Sequence, residues 1–498
     1  MNHLIIAAVV LPAVLAGLIV IASRHAIGVQ RLIAAAGILA LNALAFTLLV
    51  QSGTTPPQAY FLGNWPAPFG IVLILDRLSA VMLTLTAVLA AIIWTYIIAT
   101  GWDKRGKNFH ALFLFQLMGL NGAFLTGDAF NLFVFFEVLL IASYGLMVHG
   151  GGAVRLGAGV QYVTVNLIGS TLFLFGLATI YSVTGTLNMA DLAVKIAALP
   201  AGDTALTRVA AVMLLVVFAI KGALVPLHFW LPGTYSNAPG PIAALFAVMT
   251  KVGAYAVIRF GTLIFTADAT AGLWGTFLMP MALATMAVGA MGVLGSHHLS
   301  RLVAFSGIGS MGVVFLAIAA GTPQSTAAGL FYMLHSTLAT AALFLLADLI
   351  TDRRGNDDLR QSTKPIAQSG LIAALFMAAA IAMAGMPPLS GFVAKLLVMD
   401  AVRDSAAWLW SAILLASFLT ILGFARAGSQ VFWKSHAIGP VPRGGGNPGA
   451  VLAIMSALVC LAGLTVFAGP VSNWLTVTAQ SIFAPAPYIA ANALPGGM

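Results

Sequence analysis

Charge is scarce in this chain of 498 residues: acidic and basic side chains together make up 7% of it. That excludes a soluble protein of this size, which needs a charged shell around its core. Cysteine occurs once, so no disulfide framework can form, and Cys460 in a late apolar segment reads as a small core residue. No Walker pattern, CxxC pair or HExxH spacing is present, and the nine histidines are scattered. A nucleotide, an iron–sulfur cluster, a zinc ion or another cofactor therefore has no support. Glutamate also occurs once. What is abundant is apolar: 61% of the residues, in repeated stretches of about 20, the length that spans a bilayer as a helix.

Apolar runs and breakers predict an all-α integral membrane protein of fourteen transmembrane helices. The spans fall near 3–23, 31–50, 78–99, 109–126, 129–149, 160–184 and 205–230 in the first half. They continue near 240–262, 272–294, 301–320, 325–349, 367–397, 407–433 and 449–470. Met1–Ser23 lacks a basic n-region and is too long for a signal peptide, so it reads as a retained first helix. Residues 51–77 form a Pro/Gly-rich loop with room for an interfacial hairpin. Between 186 and 199, Leu187, Met189, Leu192, Ile196 and Leu199 are spaced for a short amphipathic helix on the membrane surface. The tail after Trp474, with Pro485, Pro487 and Pro495, reads as irregular.

Lysine and arginine orient the bundle. Odd-numbered connections hold thirteen of them: Arg24, Arg31, Lys104, Arg105, Lys107, Arg155, Arg301, Arg353, Arg354, Arg360, Lys364, Lys434 and Arg443. Even connections and their helix ends hold five: Arg77, Lys195, Arg208, Arg259 and Arg403. The positive-inside rule puts the odd side in the cytoplasm and both termini outside. The net charge of +9 thus marks topology and calls for no nucleic acid.

The remaining lysines and arginine, and the one glutamate, lie inside predicted spans. Glu137 sits in Phe130-Asn131-Leu132-Phe133-Val134-Phe135-Phe136-Glu137-Val138-Leu139-Leu140-Ile141, where a carboxylate is unfavourable by about 3 kcal/mol. Lys221, Lys251, Lys395 and His335 occupy four other spans, and Arg426 is near enough to an end to snorkel. Burial disfavours the charged ammonium and a nearby carboxylate favours it. A lysine held between those influences can load and release a proton, which makes these five residues a candidate proton relay.

Two of the lysines sit beside helix breaks. Lys221 precedes Gly222-Ala223-Leu224-Val225-Pro226-Leu227-His228-Phe229-Trp230-Leu231-Pro232, and Pro226 offers no N–H to the Gly222 carbonyl. Gly385-Met386-Pro387-Pro388-Leu389-Ser390-Gly391 ends four residues before Lys395. Broken helices in matching positions point to a transport site. Helices 4–8 and 9–13 form two five-helix blocks, 109–262 and 263–436, and the broken helix is the fourth member of each. Five is odd, so the second block is expected to be inverted. Residues 1–108 hold helices 1–3, and 437–498 hold helix 14 and a short tail.

His228 is open to two readings, proton carrier or orienting group of its break. His297 and His298 beside Arg301 read as a solvated face, and His110 and His149 as interfacial. Asp348, Asp352, Asp357 and Asp358, interleaved with Arg353, Arg354 and Arg360, read as a solvated loop.

Three stretches carry a family resemblance: Asp128 through Glu137; Lys221 through Pro232 with Ala238-Pro239-Gly240-Pro241-Ile242-Ala243-Ala244-Leu245 and Thr250-Lys251-Val252-Gly253; and Gly385-Met386-Pro387-Pro388 to Lys395. Over nearly its whole length the chain resembles the D-type subunit of the multisubunit monovalent cation/proton antiporters, the Mrp, Mnh or Pha systems. It is more distantly similar to the antiporter-like subunits of respiratory complex I. The resemblance implies that Glu137 modulates Lys221, that Lys251 and His335 form a central relay, and that Lys395 ends it. It also implies a bacterial inner-membrane complex with several smaller membrane subunits, exchanging cytoplasmic Na⁺ or K⁺ for external protons. No oxygen-rich intramembrane cluster is visible, so the cation path is expected in a partner subunit. Two other readings stand beside this one: a proton-pumping subunit of NADH:quinone oxidoreductase, and a non-transporting scaffold.

Overall fold

The computed structural model describes residues 2–200, 204–266, 270, 272–437 and 446–494. Arg443 and Pro495, used in the readings above, lie outside the described residues. The first helices are α1 (His3–Ala22), α2 (Ile27–Thr54), α3 (Arg77–Thr100), α4 (Phe109–Leu125), α5 (Ala129–Met147) and α6 (Ala153–Thr184). Then follow α7 (Met189–Ala197), α8 (Ala205–Lys221), α9 (Trp230–Asn237), α10 (Gly240–Leu263), α11 (Leu273–Gly295), α12 (Leu299–Ala319) and α13 (Pro323–Arg354). The chain finishes with α14 (Ser369–Ala384), α15 (Ser390–Ala401), α16 (Arg403–Ala406), α17 (Leu409–Gly428), α18 (Pro448–Val466), α19 (Ala468–Phe483) and α20 (Ala486–Ala491).

Among the described residues eleven helices are long and apolar enough to cross a membrane. The shorter α4 and the broken pairs α8/α9 and α14/α15 complete the fourteen expected crossings. Helix ends follow local chemistry. Asp76 and Thr322 open α3 and α13 as capping boxes with Ser79 and Ser325, and Asn447 caps α18 ahead of Pro448. Gly101, Gly185 and Gly355 close α3, α6 and α13 in the left-handed conformation that other residues avoid.

The connections sort into two faces. On one, Asn447 Nδ2 donates to Ala99 O, Trp102 Nε1 to Asp348, and Arg155 Nε to Asn237 O. All lie in odd-numbered connections or at the helix ends beside them. On the other, the expected hairpin forms from β1 (Gln58–Phe61) and β2 (Val72–Leu75), antiparallel with Gln58 opposite Leu75. β2 bridges to Thr126, and Asp128 bridges to Asn188 at the start of α7, so the even connections knit together there.

Several sequence expectations need correction. The tail is helical past Trp474, because Pro485 and Pro487 stand at the start of α20, where a missing N–H is harmless. Asp348 is no loop residue; it lies within α13. Arg354 is buried and satisfies the carbonyls of Asp358 and Gln361. His110 and His149 are buried within the protein. Arg259, counted at a helix end, is buried in an ion pair with Asp76 at 2.6 Å. The expectation that no GxGxxG occurs is also wrong: Gly307-Ile308-Gly309-Ser310-Met311-Gly312 has that spacing, but it runs inside α12 with no strand before it. Its glycines admit α11 instead: a Cβ at Gly312 would lie 2.5 Å from Met286.

Candidate functional site

Lys221 is the last residue of α8. The helix stops there because Ala223 turns left-handed (φ 54°) and Pro226 follows. The freed backbone finds partners within the protein, as it must at membrane depth. Trp230 Nε1 donates to Ile220 O at 3.0 Å, and Val225 N to Thr285 Oγ1 at 2.9 Å. With α8 ended, the buried Lys221 side chain donates from Nζ to Asn166 Oδ1 on α6 at 2.9 Å. The ammonium also lies 5.8 Å from the Phe136 ring centroid.

Glu137, half-buried on α5, accepts a short hydrogen bond from Ser170 Oγ. Asn166 and Ser170 are one turn apart on α6, so they face the same way. Glu137 and Lys221 are therefore joined through α6 and make no direct ion pair.

Lys251 is in the middle of α10 and 1% exposed. It has no hydrogen-bond or ion-pair partner among the described residues. Thr250, Thr340, Tyr235 and Phe344 surround it and a small cavity. Its helix presses on the first break: a Cβ at Gly253 would lie 2.6 Å from Gly222 N.

The second break mirrors the first in its chemistry. α14 ends at Gly385 (φ 80°), and Pro387 and Pro388 keep the helix from resuming before Ser390. Lys395 Nζ donates to Ala384 O at 2.8 Å and to Ser417 Oγ at 2.7 Å, so its charge sits on the C-terminal end of α14. His335, fully buried on α13, places Nδ1 2.9 Å from Ser390 Oγ.

The structure thus brings Glu137 and Lys221 together around α6, and His335 and Lys395 across the second break. Lys251 stands alone on α10. His228 occupies the first break, half-buried, and no hydrogen bond joins it to the other candidates. Gly222, Pro226, Pro387 and Pro388 all fall within breaks.

Sequence reasoning missed three polar groups because each lies near a helix end. Besides Arg259 and Asp348, Asp103 follows α3 with its side chain fully buried. It accepts from Arg31 Nε at 2.7 Å, Arg31 Nη2 at 2.9 Å and His110 Nε2 at 3.1 Å. Burial alone would raise its carboxyl, but the bonds from His110 and Arg31 hold it down to about 2. The one signal available was Asp103 standing seven residues before a histidine in an apolar helix.

The family model described as "NADH:quinone oxidoreductase/Mrp antiporter, TM" matches residues 126–420, from the end of α4 into α17. The chain belongs to this antiporter family. The match spans Glu137, both breaks and all three lysines. Two relatives extend the likeness to nearly the whole chain. The probable K⁺/H⁺ antiporter D subunit of Rhizobium meliloti is 38% identical, covering 97% of this chain and 96% of the relative. The Na⁺/H⁺ antiporter D subunit of Bacillus subtilis is 35% identical, covering 99% of each. A chain of the Mrp complex from a Dietzia species superimposes with a TM-score of 0.89 at 28% identity, covering 99% of this chain and 100% of the other. The family's membrane fold is thus shared from end to end.

Proposed function

We propose that this chain is the proton-translocating subunit of a multisubunit Na⁺(K⁺)/H⁺ antiporter, a secondary transporter component of a bacterial inner membrane. The names carried by the two relatives, D subunits of a K⁺/H⁺ and a Na⁺/H⁺ antiporter, support the exchange. One observation carries the proton role. Three buried lysines and a buried histidine lie on α8, α10, α13 and α15, and no carboxylate is paired directly with any of them. Static ion pairs would need matching acids; proton carriers do not.

In this reading Glu137 acts on Lys221 through the α6 bridge, setting how readily Lys221 keeps its proton. Loss of that proton weakens the bond to Asn166 and loosens the end of α8. Lys251 and His335 then carry charge between the two breaks, and Lys395 releases it. A neutral Lys395 amine holds Ala384 O and Ser417 Oγ more weakly than the ammonium does, so the second break loosens as its proton leaves. His228 acts as an accessory group of the first break.

Blocks 109–262 and 263–436 are read as inverted repeats, since each has five crossings and a broken fourth. The odd connections, rich in lysine and arginine, face the cytoplasm, and both termini lie outside. The cation path is assigned to a partner subunit of the same complex. The test is exchange by the assembled complex in everted membrane vesicles, with Na⁺ and K⁺ in separate runs. Glu137→Ala and Lys221→Ala should each abolish cation-driven proton movement with the complex intact. Exchange surviving both substitutions would overturn the relay.

A further inference from the structure

The two breaks differ at one position. Pro226 is preceded by Val225, which keeps an N–H, whereas Pro388 is preceded by Pro387, which has none. Val225 N donates to Thr285 Oγ1 at 2.9 Å. Thr285 belongs to α11, in the second block, and is fully buried. Its own hydroxyl proton goes to Met281 O at 2.6 Å, so toward the break the oxygen serves as an acceptor. The first break is therefore fastened to the second block, and the second break has no N–H at that place to fasten.

α11 is tied to α8 a second time. Trp274 Nε1 donates to Ala211 O at 3.0 Å, and the Trp274 and Phe218 rings meet edge-to-face with centroids 6.3 Å apart. Ala211 and Val225 flank Lys221 in the chain, so α11 follows α8 past its end. α12 closes in from the same block: a Cβ at Gly222 would lie 2.6 Å from the Phe315 ring.

The other half of α11 reaches Lys395. Met286, Gly289 and Ala290 line a cavity of about 20 Å³ together with Lys395, Ser310 and Ser417. From α17, the helix whose Ser417 accepts from Lys395, Arg426 Nη2 donates to Ser296 O at 2.6 Å, just past the end of α11. Gly423 brings α17 in so close that a Cβ there would run into Val293 of α11. Thr285 and Gly289 are one turn apart, about 6 Å along the axis, so a shift at Thr285 is also a shift of the Lys395 cavity wall. Packing this dense passes a displacement on instead of absorbing it.

We propose that Thr285 is a positioning residue that couples the two breaks through α11. It bonds to neither lysine. When the end of α8 loosens, Val225 moves and Thr285 moves with it. α11 then reshapes the cavity in which Lys395 holds Ser417 Oγ. The coupling runs beside the row of Lys251 and His335 and moves no proton itself. It makes the Lys395 site answer to the state of Lys221.

The coupling rests on the reading that Lys221 and Lys395 carry protons, and the experiment separates the two. Exchange is measured in everted vesicles holding the full complex, at matched complex levels. Thr285→Val keeps the shape of the side chain and removes the acceptor; Val225→Pro removes the donor and leaves Thr285 intact. Each should lower the maximal exchange rate about tenfold with the half-saturating cation concentration unchanged. Thr285→Ser, which keeps the oxygen, should come within about twofold of the wild type. The Lys395 cavity is read with Ser310→Cys in a Cys460→Ser background, labelled with methyl methanethiosulfonate. An imposed Na⁺ or K⁺ gradient should change the labelling rate about fivefold in this parent and with Thr285→Ser, and leave it unchanged with Thr285→Val. A rate that ignores both gradients in the parent, or responds equally with Thr285→Val, overturns the coupling. So does full exchange by either Thr285→Val or Val225→Pro where Lys221→Ala abolishes it. If Lys221→Ala itself exchanges, the relay reading falls instead.

Discussion

Glu137 and Lys221 never touch: Ser170 holds the carboxylate and Asn166 holds the ammonium, one turn apart on α6. The helix between them is therefore part of the pair. Removing the acceptor with Asn166→Leu leaves a buried ammonium unbonded, a loss of about 1.5–3 kcal/mol for a charged hydrogen bond. Exchange should fall at least about tenfold. Asn166→Asp, which sets a carboxylate on Lys221, should hold the proton in place and slow exchange as well. Ser170→Ala should weaken the influence of Glu137 and have a milder effect. Vesicle exchange rates at matched complex levels decide the order.

Arg259 and Asp76 bind each other at 2.6 Å where α10 meets the start of α3, with both side chains mostly buried. Asp76→Asn strands the guanidinium and is expected to destabilise the protein by about 3–5 kcal/mol. Replacing both, Asp76→Asn with Arg259→Met, should recover much of that. The thermal unfolding midpoint in detergent measures it.

Asp103 supplies a pH signature. Its carboxyl is held near 2, against an ordinary value of 3.8, so the ionised form is the one the fold prefers. Its contribution is complete above about pH 4 and is lost as pH falls through about 2. The gap in unfolding temperature between the wild type and Asp103→Asn should be flat from pH 7 to about 4 and close below that.

Gly253 meets the backbone of Gly222 so closely that Gly253→Ala must push α10 away from the first break. A loss of about 1–3 kcal/mol in stability follows from the overlap. Exchange should fall further than the lost stability alone explains, because Lys221 and Lys251 are moved apart. Gly295→Ala, where nothing lies within 4 Å, is the control expected to change neither reading.

The relay candidates were legible because a charge in a long apolar run stands out against its background, and the breaks because proline and glycine announce themselves. What those groups touch was not legible. Ser170, Asn166 and Ser417 are ordinary helix residues until folding places them beside a charge. Asp348 was misread as a loop residue because it stands one turn before a charged stretch, and its donors are about 250 positions away in the chain. Arg259 was misread for the same reason: four residues from a helix end, solvent and a buried partner look alike. The tail shows the reverse error, since prolines that break a helix inside it begin one at its first turn.

α13 runs unbroken for 32 residues while α8/α9 and α14/α15 are each interrupted. It is capped at both ends, and it carries Asp348, Phe344, Thr340 and His335 on one rigid rod. Set beside two interrupted helices it serves as a ruler: the spacing from Asp348 to His335 is fixed by one continuous backbone.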